Sequence, residues 1–240
     1  MVVFLTSSPT GSLDGKYKVD TLDNKNHFLD QLKERWKPNS RVLMITAFPD
    51  QIEASEQMTS FFHEQTLKAG LSCIDFDLLD YRNMSLSICD YDVIFLGGGN
   101  VPTQNRFFHQ INLREQMADF KGIVIGISAG SMNSADLVYA QPEEAGEATD
   151  PYFQRFIEGL NLTTINLLPH YQMVKDHYLD GMRLFEDITY ANSYDHYFYA
   201  ICDGTHLLVE KGKQTIYGEC YCIHNGNCVK ICEDGNSIEL

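Results

Sequence analysis

The chain is poor in basic charge: 18 Lys and Arg stand against 33 Asp and Glu, a formal net charge of −15 in 240 residues. Phosphate backbones are neutralised by clusters of Lys and Arg, so this balance argues against nucleic acid as a partner and disfavours anionic membrane surfaces. Acidity favours solubility and is silent on which small substrate binds. Long apolar runs are also missing; none approaches the roughly 20 residues that span a bilayer as a helix. Met1–Ser8 has no positive segment ahead of its short apolar run and reads as a first strand, so the expectation is a cytoplasmic protein. No internal repeat, low-complexity tract or Pro/Ser/Gly-rich linker interrupts the chain, which suits one domain over residues 1–240. A phosphate cradle is not indicated, because neither G-x-x-x-x-G-K-[ST] nor a spaced G-x-G-x-x-G occurs.

Cysteine number points the same way. Seven is odd, and fits a reducing compartment better than a disulfide framework. Four of them, Cys220, Cys222, Cys228 and Cys232, crowd one end with His224 between. A zinc site is one reading, but C-x-C followed by a five-residue gap fits structural zinc poorly. Thiols alternating down two arms of a hairpin, with Asn225-Gly226 in the turn, account for the pattern without metal.

What is present is an ordinary globular balance, 44% hydrophobic and 21% charged, arranged in alternation. Strands are predicted at Val2–Ser7, Arg41–Thr46, Ser72–Leu79, Tyr91–Leu96 and Gly122–Ile127. Helical spacing covers Asn26–Trp36, Ile52–Ala69 and Phe107–Met117. Strand–helix repetition of this kind predicts an α/β fold, a mostly parallel sheet flanked by helices on both faces. After about residue 196 the rhythm changes to short strands with tight turns, read as antiparallel hairpins appended to that sheet. Residues 139–151 form an irregular acidic loop expected near the site.

Chemistry concentrates at Gly126-Ile127-Ser128-Ala129-Gly130, a G-x-S-x-G turn between a strand and a helix-compatible stretch. Such an elbow with glycine on both sides presents a serine hydroxyl out of the sheet, and the Ala129 N–H is placed to stabilise an oxyanion. Gly97-Gly98-Gly99-Asn100, at the end of the preceding strand, offers a second donor. A serine nucleophile needs a base. His170 follows the apolar run Ile165–Leu168 and Pro169, at a strand's carboxyl end; His177 competes, without a strand to aim it. The orienting acid is sought between serine and histidine, where Asp136, Glu143, Glu144 and Glu147 qualify by order. Asp136 is expected two turns into the helix after the elbow, away from the reacting edge.

Gly97-Gly98-Gly99-Asn100, then Gly126–Asn133, then Pro169-His170-Tyr171, in that order, resemble peptidase E. These are aspartyl dipeptidases, serine relatives of the class I glutamine amidotransferase fold, with cyanophycinase a more distant cousin. The resemblance covers roughly residues 1–220. It implies Ser128 as nucleophile, His170 as base, and the Gly99 and Ala129 amides as oxyanion hole. It further implies hydrolysis of dipeptides with an N-terminal aspartate, without metal or cofactor. The family's acid, some fifteen positions past the serine, falls on Glu143, with Glu144 adjacent. Its cation for the substrate's aspartate side chain is matched best by Arg183. The expected partner is therefore a small peptide substrate, with a homodimer left open. Two other readings use the same residues: a non-catalytic small-molecule binder on this fold, and a serine amidohydrolase acting on another aspartyl amide.

Overall fold

In the computed structural model, which describes residues 1–240, five strands form the parallel part of the main sheet. They are β1 (Val2–Thr6), β2 (Ser40–Ile45), β3 (Cys73–Leu79), β4 (Val93–Leu96) and β5 (Ile123–Ile127), in the order β3-β2-β4-β5-β1. Side chains alternate between the two faces, as the pleat requires. Leu43, Ile45, Ile94, Leu96 and Val124 join one apolar cluster, while Val42, Met44, Val93, Phe95 and Ile125 join another. Helices α1 (Phe28–Lys33) and α2 (Ile52–Lys68) cover the second cluster; α3 (Val101–Gln110) and α4 (Leu113–Asp119) cover the first. A sheet buried on both faces needs near-continuous apolar strands, which these are.

Beyond the elbow come α5 (Ala129–Met132), the ribbon β6 (Leu137–Tyr139) with β7 (Phe156–Glu158), then β8 (Asn166–Leu168) and α6 (Tyr171–Val174). A small hairpin follows, β9 (Tyr178–Leu179) with β10 (Met182–Arg183). The remaining strands are β11 (Phe198–Ile201), β12 (His206–Glu210), β13 (Lys213–Tyr217), β14 (Cys220–His224), β15 (Asn227–Cys232) and β16 (Ser237–Glu239). Only β12, β13 and β16 extend the main sheet, antiparallel, from β1. Contrary to the expectation that all the late hairpins append to it, β11, β14 and β15 leave it. They form a second sheet in the order β15-β14-β11-β8, in which β8 and β11 run parallel.

Two predicted helices differ from expectation, while α2 spans the predicted residues. The first α-helix is shorter, because Asn26 and His27 take positive φ (54° and 65°) and it ends at Lys33. The predicted 107–117 helix is two: the Asn100 side chain caps α3 by accepting from Thr103 N at 3.0 Å, and Asn112 at φ 50° breaks the run before α4. In α2 the buried face is Ser55, Thr59, Phe62 and Thr66, while Ile52, Phe61 and Leu67 are exposed. The cysteine hairpin turns at Asn225-Gly226 as read, with Cys220 and Cys232 buried in the main core. No three His, Cys, Asp or Glu side chains converge as a metal cage requires. No helix is long and apolar enough to cross a membrane.

Candidate active site

Strand β5 runs between β1 and β4 and ends at Ile127, so Ser128 emerges at the carboxyl edge of the parallel strands. Its backbone is strained, at φ 49° and ψ −109°, where a side chain is disfavoured. Several bonds hold it there. Ser128 N donates to Thr6 O at 3.1 Å, Ser131 Oγ donates to the same carbonyl at 2.8 Å, and Thr6 Oγ1 donates to Gly126 O at 2.8 Å. The flanking glycines serve close packing rather than positive φ. A Cβ at Gly126 would stand 2.9 Å from Leu5 Cδ2 and from Ser131 Oγ; one at Gly130 would stand 2.3 Å from Leu96 O. Both are glycine so that α5 can lie against β4 and β5.

His170 sits two residues beyond β8 in a left-handed conformation (φ 59°), and its Nε2 is 2.9 Å from Ser128 Oγ. Its Nδ1 is 2.7 Å from Asp203 Oδ1. Asp203 follows β11 by two residues, and β11 pairs in parallel with β8, so both chain ends open at the same edge. The carboxylate is 1% exposed and the imidazole 15%. Burial pushes the Asp203 pKa up, but the His170 hydrogen bond and charge, with Ser7 and Leu13 donating, outweigh it and leave the pKa below the usual value. Ser7 Oγ donates to Asp203 Oδ1 at 2.6 Å and accepts the His170 N–H at 2.8 Å. On the other oxygen, Leu13 N donates at 3.0 Å and Gln172 Nε2 at 2.7 Å. An ionised Asp203 can only accept, so the proton of the neutral imidazole is assigned to Nδ1 and Nε2 is left to accept from the Ser128 hydroxyl.

The acid on the imidazole is thus Asp203, which lies beyond the histidine in sequence and not between serine and histidine, and it is not Glu143. Glu143 instead lines the cavity in front of Ser128, on the acidic loop expected to lie there, together with Gln141 and Pro142. It keeps solvent-exposed surface, yet the surrounding pocket wall and then the like charges of Glu147 and Glu144 raise its pKa to about 7. Glu144, exposed like Glu143, does not line the cavity. Arg183 is exposed and held by Asp187, with Nε 3.0 Å and an Nη 2.6 Å from its carboxylate oxygens; it does not line the cavity. His177 does line it. Asp136 lies past the end of α5, which is a single turn rather than the two expected, and pairs with Arg114 at 2.7 Å. Gly99 lines the cavity beside Ser128, and its N–H donates to no backbone carbonyl. A Cβ there would meet Ala47 Cβ at 2.6 Å, so no side chain fits. Ala129, first residue of α5, has no carbonyl within the helix for its N–H.

A family model described as peptidase family S51 matches residues 11–217. No curated protein matches. Among solved structures, the chain is similar to a peptidase from an acI-B1 Actinobacterium, at TM-score 0.64 and 16% identity, covering 100% of this chain and 96% of that one. It is also similar to a protein named for peptidase E from Listeria monocytogenes EGD-e, at TM-score 0.51 and 17% identity, with 96% and 97% covered. At such identities the two structures speak for the fold, an α/β architecture of this type. The family model spans most of the chain, and on that match the protein belongs to peptidase family S51, as a serine peptidase.

Proposed function

We propose that the protein hydrolyses short peptides by acyl transfer through Ser128, His170 and Asp203. The observation that carries the reading is the continuous chain from Ser128 Oγ to His170 Nε2 at 2.9 Å and from His170 Nδ1 to Asp203 at 2.7 Å. Ser128 attacks the peptide carbonyl while its proton passes to His170 Nε2. The buried Asp203 carboxylate stabilises the imidazolium and fixes its orientation. The N–H groups of Gly99 and Ala129 receive the oxyanion, each such donor contributing about 3 kcal/mol. Nε2 then returns its proton to the departing amine, and water repeats the sequence on the acyl-enzyme.

A cavity of about 280 Å³ supports a substrate of one or two residues at the site, at the lower limit of about 300–1,000 Å³ for small-molecule pockets. The narrower substrate, a dipeptide with N-terminal aspartate, is supported by the family resemblance. Arg183, the cation that resemblance requires, is paired with Asp187 instead. A panel of dipeptides with Asp, Leu, Lys and Ala at the first position, run on wild type and Ser128→Ala, tests the reaction. Turnover that survives Ser128→Ala refutes the mechanism. Ligand binding with no turnover and no covalent labelling of Ser128 favours a binder, and labelling without peptide cleavage favours another amide.

A further inference from the structure

The cavity in front of Ser128 has an unusual charge for a site expected to hold an aspartate side chain. No Lys or Arg is among its lining residues, and its one carboxylate is Glu143. Met132, Val174, Leu179 and Leu184 give the lining an apolar side, and Gln141, His177 and Tyr178 add neutral or basic polar groups. An acidic side chain entering this space would meet the Glu143 carboxylate and no Lys or Arg, with His170 and His177 the basic side chains of the lining.

The loop carrying Glu143 is built to hold it there. Glu147 Oε2 accepts the N–H groups of Glu143 and Glu144, at 2.8 and 2.9 Å. Asp180, in the β9–β10 turn, accepts Gly146 N at 2.8 Å and Ala148 N at 3.1 Å. Both carboxylates are thus occupied by backbone donors: Glu147 closes the loop on itself, and Asp180 ties it to the hairpin whose Tyr178 and Leu179 line the cavity. The Glu143 carboxylate has no such occupation: no donor of the chain bonds it, and the charges acting on it are both negative. A carboxylate held at a catalytic cavity without a partner is stabilised by a cation brought by the substrate.

We propose that Glu143 binds a cationic nitrogen on the residue whose carbonyl Ser128 attacks, so that the enzyme selects short peptides by a free amino end or a basic side chain. This rests on the serine-peptidase reading above. The α-ammonium of an N-terminal residue lies two bonds from its own carbonyl carbon, close enough to be held at the cavity while that carbonyl is at Ser128. The apolar lining then receives a neutral side chain.

The test uses the full-length protein and four chromogenic substrates: Leu-, N-acetyl-Leu-, N-acetyl-Lys- and Asp-p-nitroanilide. Loss of a charge-assisted contact costs about 1.5–3 kcal/mol, so wild-type kcat/KM falls about 10- to 100-fold from Leu- to N-acetyl-Leu-p-nitroanilide if the α-amine is bound. If a basic side chain is bound, N-acetyl-Lys exceeds N-acetyl-Leu by a similar factor. In either case Glu143→Gln collapses the ratio through KM, whereas Glu144→Gln preserves it. A ratio untouched by Glu143→Gln, or turnover confined to Asp-p-nitroanilide and indifferent to Glu143→Gln, overturns the proposal. Ser128 labelling by a fluorophosphonate separates the two failures. An unlabelled serine removes the peptidase reading itself, while a labelled serine with an unchanged ratio removes only the role of Glu143.

Discussion

Replacing Asp203 by Asn changes one oxygen to nitrogen in the most crowded polar cluster of the site. Four donors converge on that carboxylate: the Ser7 hydroxyl and His170 Nδ1–H on one oxygen, Leu13 N–H and the Gln172 amide on the other. An amide has one accepting end, so one pair of donors must face N–H. The Leu13 N–H cannot turn away, and Gln172 is fixed because its Oε1 already accepts Asp203 N at 3.1 Å. The Ser7 hydroxyl can rotate and the imidazole can change tautomer. The Asn nitrogen therefore faces His170, Nδ1 becomes the acceptor, and the ring proton moves to Nε2. An Nε2–H cannot take the Ser128 proton, and the loss expected of a wrong tautomer in such a triad is about 10⁴-fold in kcat, or about 5 kcal/mol. Labelling rate with a fluorophosphonate and peptide turnover should fall together, with KM little changed. A stability signature accompanies it. Because the folded Asp203 pKa is depressed, its stabilising contribution is fully present above the unfolded value of about 4 and is lost as pH falls through the lower folded value. The Tm difference between wild type and Asp203→Asn should thus be largest near neutrality and shrink below about pH 4. Asp203→Asn labelling within tenfold of wild type would refute the assignment of Asp203 as the orienting acid.

Gly130→Ala drives a methyl to within 2.3 Å of Leu96 O, a backbone atom that cannot move aside. The expected cost is about 1–3 kcal/mol, lowering Tm by about 2–4 °C per kcal/mol, with loss of Ser128 labelling as α5 shifts. Arg183→Ala removes an exposed, solvent-screened i,i+4 pair; Tm and kcat/KM on Asp-Ala should barely move, and a KM increase above tenfold would restore Arg183 as the aspartate receptor. Glu143 is anionic above a pKa of about 7 and neutral below it, with Glu144 and Glu147 as its charged neighbours. KM for a free-amine peptide should therefore fall as pH rises through about 7 and climb again above about 8, where the α-ammonium loses its proton; His170 and His177 face the same cavity, and Glu143→Gln should remove the first limb alone.

Strand β5 and its elbow were legible because an apolar run, two glycines and a serine are all local signals. His170 was legible for the same reason, as a histidine just past an apolar strand. Asp203 was hidden by two circumstances. Asp203-Gly204 reads as a tight turn, and its placement depends on β11 pairing with β8 some thirty residues earlier, a contact that periodicity does not encode. An aspartate at the end of an apolar strand, on the far side of the histidine in sequence, was the available signal. Arg183 carried its own warning, since Asp187 stands four residues on, at helical-neighbour spacing. The break at Asn112 left no trace in the apolar pattern, because its cause is a single left-handed residue.

The nucleophile and its base ride on different sheets. Ser128 belongs to the main sheet, while His170 and Asp203 extend from neighbouring parallel strands of the smaller one. Sliding one sheet against the other would stretch the 2.9 Å serine–histidine contact and leave the 2.7 Å histidine–aspartate contact intact. Ser7, at the end of β1, ties the two together by bonding both His170 and Asp203. The alignment of nucleophile and base is consequently a property of the packing between the sheets, whereas that of base and acid is a property of one sheet alone.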